Sequence, residues 1–398
     1  MSASGPPGPV LDERIRDLVD MGRSEVLRIR RDVHRHPELA FAEHRTAALV
    51  ADALENIGLT PVRGVGGTGV VAALEGRRPG PTLLLRADMD ALPITEADDG
   101  RETRSLLDGV MHACGHDGHV AVLLGAVTAL SRVADSWHGR VVACFQPAEE
   151  PDTGARAVLG AWPGGAVDAV LGLHLDATLP AGTVAVGDGV QWARCVQFAV
   201  HIEGEAGHGG FGTPVDSVAT AAEAVLAIEQ LSSGWPSHSV AAVTMTEGAR
   251  APNVVPSTTI LRGTLRTLDV DAADARQELL GQKVAEVATA RGALANVSWG
   301  PDCPELLCDP GLTALVRDAA GACRGATVTP GVPTTGCDDF ARFLALAPGC
   351  YFRVGAAPVG GPVPHHHPAF NLDEDSLVVA VETLTLAALR VLGQPGGS

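Results

Sequence analysis

The sequence is short of positively charged residues, and lysine is almost missing from it. Its 29 Lys and Arg residues stand against 47 Asp and Glu residues, which gives a formal net charge of −18, and Lys283 is the single lysine. A surface of this sign repels phosphate backbones. We therefore expect no nucleic acid among the partners of this protein.

Long apolar runs and patterned cysteines are missing as well. No apolar run approaches the roughly 20 residues that span a bilayer, so we expect no membrane partner. Residues 1–10 are rich in Ser, Pro and Gly and lack the basic start and apolar centre of a signal peptide. The eight cysteines show no tight spacing, which indicates reduced thiols that mostly fill a core. These absences together predict a cytoplasmic protein.

A cluster of metal-binding residue types stands out against this background. The segment Met111–His119 holds Cys114 and three histidines within nine positions, and its glycines let the backbone bend. Because Cys114 and His116 are two residues apart, both can reach one cation. A thiolate and a neutral imidazole are good ligands for zinc and similar metals. The segment therefore predicts a metal site that is completed by residues from elsewhere in the chain.

Apolar patterns around this segment predict an α/β fold. Buried strands are expected at 81–86, 140–145 and 168–174, and a helix is expected at 117–133 with Asp117 as its N-cap. Strands that alternate with helices indicate a mostly parallel sheet. The candidate site residues of this region then fall at the carboxyl ends of strands, where open α/β sheets hold ligands.

The pattern changes near residue 190 and predicts a small inserted domain. The order of strands and helices there is βαββαβ, as in a split ferredoxin-like α+β module, with elements at 195–203, 214–231, 239–247, 257–268, 271–291 and 295–300. After residue 301 the α/β pattern resumes, with helices near 311–322 and 373–392. We therefore expect one catalytic domain built from residues 1–189 and 302–398, with residues 190–301 inserted between its two parts.

Two pairs of carboxylates follow predicted strands. Glu149 and Glu150 are adjacent on an extended chain, so their side chains point in different directions, and one can bind metal while the other carries protons. Such pairs are most often solvated acidic turns, but a position at a strand end favours a function. Asp88 and Asp90 share one face, so we expect them to hydrogen-bond a ligand histidine from behind and to fix its tautomer.

The remaining histidines are ambiguous when each is taken alone. His174 ends an apolar strand, where a single histidine is more often a core residue than a ligand. His366 belongs to the run His365–His367, which also fits an exposed loop, and His208 lies in a glycine-rich loop. The joint occurrence of these residues, in one order along the chain, is what indicates a metal-dependent enzyme.

Several segments resemble one enzyme family in sequence and in order. The family is that of the metal-dependent amidohydrolases, which include hippurate hydrolase, auxin-conjugate hydrolases and aminoacylases. The segments that carry the resemblance are 31–39, 85–93, 111–119, 145–150, 253–256 and 263–266. The resemblance implies hydrolysis of the amide bond of an N-acyl amino acid, a small-molecule substrate.

The resemblance also implies a set of site residues. Two divalent cations, zinc or manganese with cobalt or nickel as further choices, would be held by Cys114, His116, Glu150, His174 and His366. His366 is chosen because His366-His367-Pro368-Ala369-Phe370 fits the family pattern, while the residues alone leave His365 and His367 open.

The roles of further residues follow from the same resemblance. Glu149 would be the general base, and Asn253 and Arg266 would contact the substrate, with Arg266 suited to a carboxylate by its fork of donors. The inserted domain would act as a lid and as the dimerisation element. His208 would then reach the catalytic site of the other subunit of a homodimer.

The chain departs from the family pattern at two places. Ala206-Gly207-His208 stands where Gly-Gly-His is usual, and Cys337-Asp338-Asp339-Phe340 stands where Ser-Glu-Asp-Phe is common. Both departures concern the specificity pocket more than the metal chemistry. Two alternatives therefore stay open at this point: a dipeptidase or carboxypeptidase with the same metals, and a non-catalytic protein that retains the fold.

Overall fold

The computed structural model describes residues 9–98, 100–212, 215–236 and 238–393. The first eight residues of the Ser, Pro and Gly-rich start lie outside these ranges. The helices are α1 (Pro9–Arg35), α2 (His44–Asn56), α3 (His116–Ser131), α4 (Gly154–Gly160), α5 (Ser217–Ser233), α6 (Ala273–Ala290), α7 (Pro310–Ala322) and α8 (Asp375–Leu392). Within the described ranges, no helix combines the length and apolar character that crossing a bilayer requires.

Sixteen strands lie in the described ranges. They are β1 (Val62–Val65), β2 (Gly69–Glu75), β3 (Thr82–Asp88), β4 (Arg140–Gln146), β5 (Ala169–Asp176), β6 (Thr183–Val186), β7 (Gly189–Trp192), β8 (Arg194–Glu203), β9 (Gly207–His208), β10 (Ser239–Glu247), β11 (Val254–Val255), β12 (Thr258–Thr267), β13 (Leu294–Cys303), β14 (Leu306–Cys308), β15 (Thr327–Pro330) and β16 (Gly349–Gly355).

The chain divides into two compact units. One unit comprises the described residues up to Gly189 together with 307–332 and those from Asp339 onward. The other comprises 190–306 and 333–338. The chain passes from the first unit to the second between Gly189 and Val190. It returns between Leu306 and Leu307 rather than after residue 301, because β13 continues to Cys303.

An eight-stranded sheet forms the centre of the first unit, in the order β1-β2-β4-β3-β5-β16-β6-β15. Strands β4, β3, β5 and β16 are mutually parallel neighbours, and β15 runs parallel to β6. The run Leu83–Leu85 in β3 is fully buried, as expected for a strand that is covered on both faces. The predicted α/β class with a mostly parallel sheet is confirmed.

Helix α3 is buried almost all round, because it packs against α1 and α8 as well as the sheet. Its N-cap is Gly115, whose φ of 92° lies in the left-handed region that glycine tolerates best. The prediction that Asp117 caps this helix is therefore wrong. The Asp117 carboxylate is instead turned toward Arg30 of α1, whose Nε lies 2.9 Å from Asp117 Oδ2.

The second unit contains a four-stranded antiparallel sheet in the order β10-β12-β8-β13. Helices α5 and α6 pack on it through a small apolar core that includes Val200, Ile202, Ile228, Leu261 and Val284. The chain order β8-α5-β10-β12-α6-β13 is the predicted βαββαβ arrangement. A separate pair of two-residue strands, β9 and β11, joins His208 to Val254.

Candidate metal centre

The candidate ligands of the first unit gather at one edge of its sheet. Strands β3, β4 and β5 are parallel neighbours, so their carboxyl ends meet at this edge. The Glu149-Glu150 pair follows β4. His174 lies two residues before the end of β5, which continues to Asp176 and therefore extends beyond the predicted end of the strand.

Two groups of possible ligand atoms share the sulfur of Cys114. Cys114, His116 and His174 form one group, and Cys114, Glu150 and His366 form the other. Within each group the ligand atoms all lie within 4.8 Å of one another. The structure thus brings together all five residues that the sequence analysis named as metal ligands. Two adjacent groups of this kind could each hold one divalent cation.

Backbone carbonyls fix the tautomers of two histidines in these groups. His116 Nδ1 donates to the carbonyl of Asp90 at 2.9 Å, and His174 Nδ1 donates to the carbonyl of Leu175 at 2.9 Å. A carbonyl oxygen only accepts, so each Nδ1 carries a proton and Nε2 is the nitrogen of each ring that can bind a metal. His174 Nε2 lies 3.5 Å from Cys114 Sγ. Both imidazoles are therefore oriented for metal binding before any metal arrives.

The three adjacent histidines of the late loop have different surroundings. His366 Nε2 lies 3.3 Å from Glu150 Oε2. His365 is held between Cys114 Sγ, 3.7 Å from its Nδ1, and Asp176 Oδ1, 3.6 Å from its Nε2. His367 Nδ1 accepts a hydrogen bond from the backbone N–H of the nearby Ala369. His366 is thus the one of the three that shares a ligand group with Glu150.

The donor atoms carry an excess of negative charge that suits a cation. Hydrogen bonds to Cys114 and then to Glu150 raise the pKa of His366 to about 10. Burial and Glu150 oppose ionisation of Cys114, yet His174 and His116 together hold the pKa of its thiol well below the ordinary value. Glu150 Oε1 is buried and accepts no hydrogen bond from the described residues. An orphaned carboxylate oxygen beside a thiolate and three imidazoles fits divalent metal ions of intermediate softness.

Asp90 holds the Glu149-Glu150 turn in place. Its carboxylate accepts the backbone N–H of Glu149 at 3.0 Å and that of Glu150 at 3.1 Å. Glu149 Oε2 lies 3.9 Å from His116 Nε2, and Glu149 belongs to neither of the two groups that contain Cys114. Glu150 therefore lies in a ligand group with Cys114, whereas Glu149 lies beside them in a group with His116 and Glu150.

Asp88 occupies a different place from the one that we expected. Its Oδ1 accepts a hydrogen bond from His119 Nδ1 at 2.6 Å, whereas His116 Nε2 lies 3.7 Å from Oδ2, beyond hydrogen-bond distance. Arg86 donates to the other oxygen of Asp88. His119 Nε2 in turn accepts the backbone N–H of Leu175. Asp88 thus orients His119 between the two parallel strands β3 and β5, and Asp88, His116 and His119 form a further group of possible ligand atoms within 4.8 Å of one another.

Two residues at the site have left-handed backbone conformations. Ala148 has a φ of 50° and His366 a φ of 59°. Such a conformation costs a non-glycine residue about 1 to 2 kcal/mol, so its surroundings must hold it. The buried Glu43 accepts the backbone N–H of Ala148 at 2.9 Å, and the N–H of His366 donates to the carbonyl of Ala113 at 2.8 Å. Glu43 was not identified from the sequence.

A buried charged network behind the site was also missed. His34 Nδ1 lies 2.9 Å from Asp117 Oδ2 and its Nε2 lies 3.3 Å from Glu96 Oε1. Arg30 pairs with the same Asp117, which directly follows the candidate ligand His116. In the sequence, only the resemblance of segment 31–39 to the family pointed to this region, and it suggested no role for His34. The network ties helix α1 to the first turn of α3.

The other candidate residues lie in the second unit. His208 is exposed, and its ring packs on Phe211 with centroids 4.9 Å apart. The carbonyl of Asn253 accepts the N–H of Gly209 at 2.9 Å, so Asn253 and His208 are close neighbours. Arg266 lies on β12, where Nη1 donates to the carbonyl of Thr335 at 3.2 Å. His208 belongs to none of the groups of possible metal ligands found among the described residues.

The sheet and the donor set define a metal-dependent amidohydrolase. A profile described as peptidase family M20/M25/M40 matches residues 84–390, and the chain belongs to that family. It is an enzyme, so the non-catalytic alternative no longer stands.

Similar proteins are known from bacteria, archaea and plants. N-acetyl-L-cysteine deacetylase of Bacillus subtilis is 34% identical over 92% of this chain and 88% of its own length. Thermostable carboxypeptidase 2 of Saccharolobus solfataricus is 33% identical over 96% of this chain and 98% of its own. IAA-amino acid hydrolase ILR1-like 2 of Arabidopsis thaliana is 34% identical over 88% of this chain and 82% of its own.

A solved structure is similar to this chain over nearly its whole length. The Bacillus subtilis YXEP protein, a dinuclear metal binding peptidase from the M20 family, superimposes with a TM-score of 0.82 at 32% identity. The alignment covers 94% of this chain and 99% of that protein. The likeness therefore extends over both units and their connections in sequence.

Proposed function

We propose that this enzyme hydrolyses the amide bond of N-acyl amino acids and releases a carboxylic acid and an amino acid. The observation that carries the chemistry is the Cys114 sulfur, shared by two ligand groups with Glu149 beside them. The substrate class is supported by relatives that are named for N-acetylcysteine and for indole-acetyl amino acids.

The residues of this chain have separate tasks in the proposed reaction. Two divalent cations, when bound, supply Lewis acidity that lowers the pKa of a water molecule and polarises the amide carbonyl. Cys114, His116, His174, Glu150 and His366 would hold them. Glu149 takes the proton of the attacking water and then delivers it to the departing nitrogen. Zinc, manganese, cobalt and nickel all fit a donor set of this softness.

The second unit contributes substrate contacts in this proposal. The guanidinium group of Arg266 suits the carboxylate of the released amino acid. Asn253, which lies beside His208, would form a second contact with the substrate. His208 donates a hydrogen bond to the oxyanion that forms on the amide carbonyl. We propose that it does so in the partner subunit of a homodimer. The cytoplasmic location stays a prediction from composition.

A carboxypeptidase or dipeptidase is the second candidate. It is favoured by the relative named thermostable carboxypeptidase 2, which matches nearly the whole chain. Both candidates require an amide next to a free carboxylate, so Arg266 would serve either substrate. They differ in the group on the other side of the amide, which is an acyl group in one case and an amino acid with a charged ammonium in the other.

Metal loading and a substrate panel test the proposal together. We expect chelated protein to be inactive and protein reloaded with zinc or manganese to bind two ions per chain and to regain activity. N-acetyl, N-benzoyl and indole-acetyl amino acids should be cleaved faster than dipeptides, and the same compounds with amidated carboxyl groups should be poor substrates. Released amine is the measurement. Turnover of dipeptides alone would favour the second candidate, and two bound ions without any amide hydrolysis would overturn both.

A further inference from the structure

Three cysteines and one arginine meet in the second unit. In the antiparallel sheet, Cys195 of β8 lies directly opposite Cys303 of β13 on one side and Arg266 of β12 on the other. Directly opposed residues point to the same face of a sheet. The sulfur of Cys337, which belongs to the segment 333–338, lies 3.6 Å from Arg266 Nη1.

The surroundings of Cys337 favour its thiolate form. Interactions with the side chains of Cys195 and then of Cys303, together with the charge of Arg266, lower the pKa of the Cys337 thiol to about 3. Cys337 therefore carries a thiolate at neutral pH, and thiolates are the form that reacts with oxidants. The positive charge of the adjacent Arg266 disfavours binding of a metal cation by these sulfurs. Oxidation of the thiols is therefore the more suitable chemistry for this cluster.

The three cysteines differ in how exposed their side chains are. Cys337 is partly exposed, whereas Cys303 and Cys195 keep only 1% and 7% of their surface. A small oxidant would therefore reach Cys337 first. None of the eight cysteines, all of which lie in the described ranges, is in a disulfide.

We propose that Cys337 is an oxidation site that forms a reversible disulfide with Cys303 when the protein meets hydrogen peroxide. Cys303 is the better partner because it ends β13, an edge strand, and its Sγ already lies 3.4 Å from the carbonyl of Asp338. Cys195 is held by strands on both sides. Closing a disulfide brings two sulfurs to about 2.05 Å, so the partner whose backbone can move is favoured.

The two steps balance without any further reactant. The Cys337 thiolate attacks one peroxide oxygen, an S–O bond forms, the O–O bond breaks, and the leaving hydroxide takes a proton to become water. The sulfur is oxidised by two electrons and the peroxide is reduced. The Cys303 thiol then loses its proton and its sulfur attacks the sulfenic sulfur, so that an S–S bond replaces the S–O bond and a second water leaves.

The test uses the full metal-loaded chain. It measures oxidation of cysteines and not hydrolysis, so its outcome does not depend on the proposed substrate contact of Arg266. Protein is treated with hydrogen peroxide, blocked with N-ethylmaleimide under denaturing conditions and digested with trypsin. We expect a linked pair of peptides that joins Cys337 to Cys303 and disappears on treatment with dithiothreitol. Fragmentation identifies the partner, because Cys303 shares the tryptic peptide 292–317 with Cys308.

Three variants distinguish the outcomes. In Cys303→Ser, the sulfenic acid on Cys337 should persist and be trapped by dimedone, and in Cys337→Ser the linked pair should be absent. Cys308→Ser is the matched control, since Cys308 and Cys350 are both almost fully buried, and it should behave as the parent protein. A link to Cys195, a link that survives in Cys337→Ser, or neither link nor dimedone adduct would overturn the proposal.

Discussion

At the scale of single residues, the adjacent Glu149 and Glu150 differ in the surroundings of their carboxylates. Glu150 has a buried oxygen that accepts no hydrogen bond from the described residues, and it shares a ligand group with Cys114 and His366. Glu149 lies outside both groups that contain Cys114. We infer that the first glutamate of the pair moves protons and that the second binds metal.

Substitution of each glutamate tests this division of labour. Glu149→Gln should keep its metal and lose about 10²- to 10⁴-fold in kcat, the usual contribution of a general acid-base group. Glu150→Gln is the matched control and should instead lose metal affinity. Metal content by elemental analysis and amine release under saturating substrate are the measurements. Near-normal turnover of Glu149→Gln would contradict the assignment.

His112 should make the stability of the protein depend on pH. Its imidazole is almost fully buried, neither ring nitrogen has a hydrogen-bond partner among the described residues, and burial lowers its pKa to about 4. In the unfolded chain a histidine titrates near pH 6.5, so between these values the unfolded state binds more protons. The free energy of unfolding must therefore fall as the pH falls from about 6.5 to 4.

A variant without this imidazole isolates the effect. The loss from His112 alone should be on the order of 3 kcal/mol at pH 4 relative to pH 7. His112→Gln should remove that part of the pH dependence. Urea unfolding of the metal-free protein at both pH values is the measurement, because metal release then plays no part. An equal pH dependence in the variant and the parent would show that His112 stays neutral or charged in both states.

At the scale of elements, the contact of α3 with α1 and α8 depends on a glycine. A Cβ atom at Gly125 would lie 2.9 Å from Val26 Cγ2 and 3.0 Å from Val381 Cγ2. Side chains in a close-packed core can give way only by leaving their rotamers. The close packing of α3 against α1 and α8 therefore requires glycine at position 125.

Gly125→Ala should destabilise the first unit by about 1 to 3 kcal/mol, the usual cost of overpacking a core. Gly22→Ala is the matched control, since Gly22 lies inside α1 and nothing stands within 4 Å of its added Cβ. It should stabilise the helix by up to about 1 kcal/mol. Denaturant midpoints of the two variants are compared with the parent. A stable Gly125→Ala would show that α1 and α8 can separate without cost.

Elements with strong local patterns could be predicted, and those that depend on distant partners could not. The run Leu83–Leu85 and the stripe of α3 carry their own signal, and both lie close to the predicted positions. Strands β1, β2, β6, β15 and β16 went unassigned. Three of them, β1, β6 and β15, have only four residues, and all five are strands because other parts of the chain pair with them, as β5 pairs with β16. The cap of α3 was mistaken because Asp117 is engaged by Arg30, far away in the sequence.

At the scale of the whole molecule, the candidate site residues are divided between two units. The ligand groups and Glu149 belong to the first unit, and His208, Asn253 and Arg266 belong to the second. Our proposal assigns His208 to the site of a partner subunit. In that proposal, the exposed His208 takes part in catalysis only when it enters the metal site of the partner subunit.

Mixing two inactive variants tests that assignment. His208→Ala should keep its metal and lose turnover, and Glu149→Gln should do the same for a different reason. Mixed dimers should regain activity, because the intact metal site of the His208→Ala subunit receives His208 from the Glu149→Gln subunit. Subunits are exchanged or co-expressed and amine release is measured. Absence of recovery in verified mixed dimers would place His208 in its own subunit or outside catalysis.

By itself, the sequence determined the α/β class, the inserted βαββαβ module and the residue types of the site, because periodicity and ligand chemistry are local properties. Only the tertiary structure decided that Cys114 is common to two ligand groups, that Asp90 clamps the turn of the glutamates, and that Asp88 serves His119. These facts are distances between residues far apart in the chain. They depend on which strands are neighbours in the sheet, and strand order follows from how the whole chain packs.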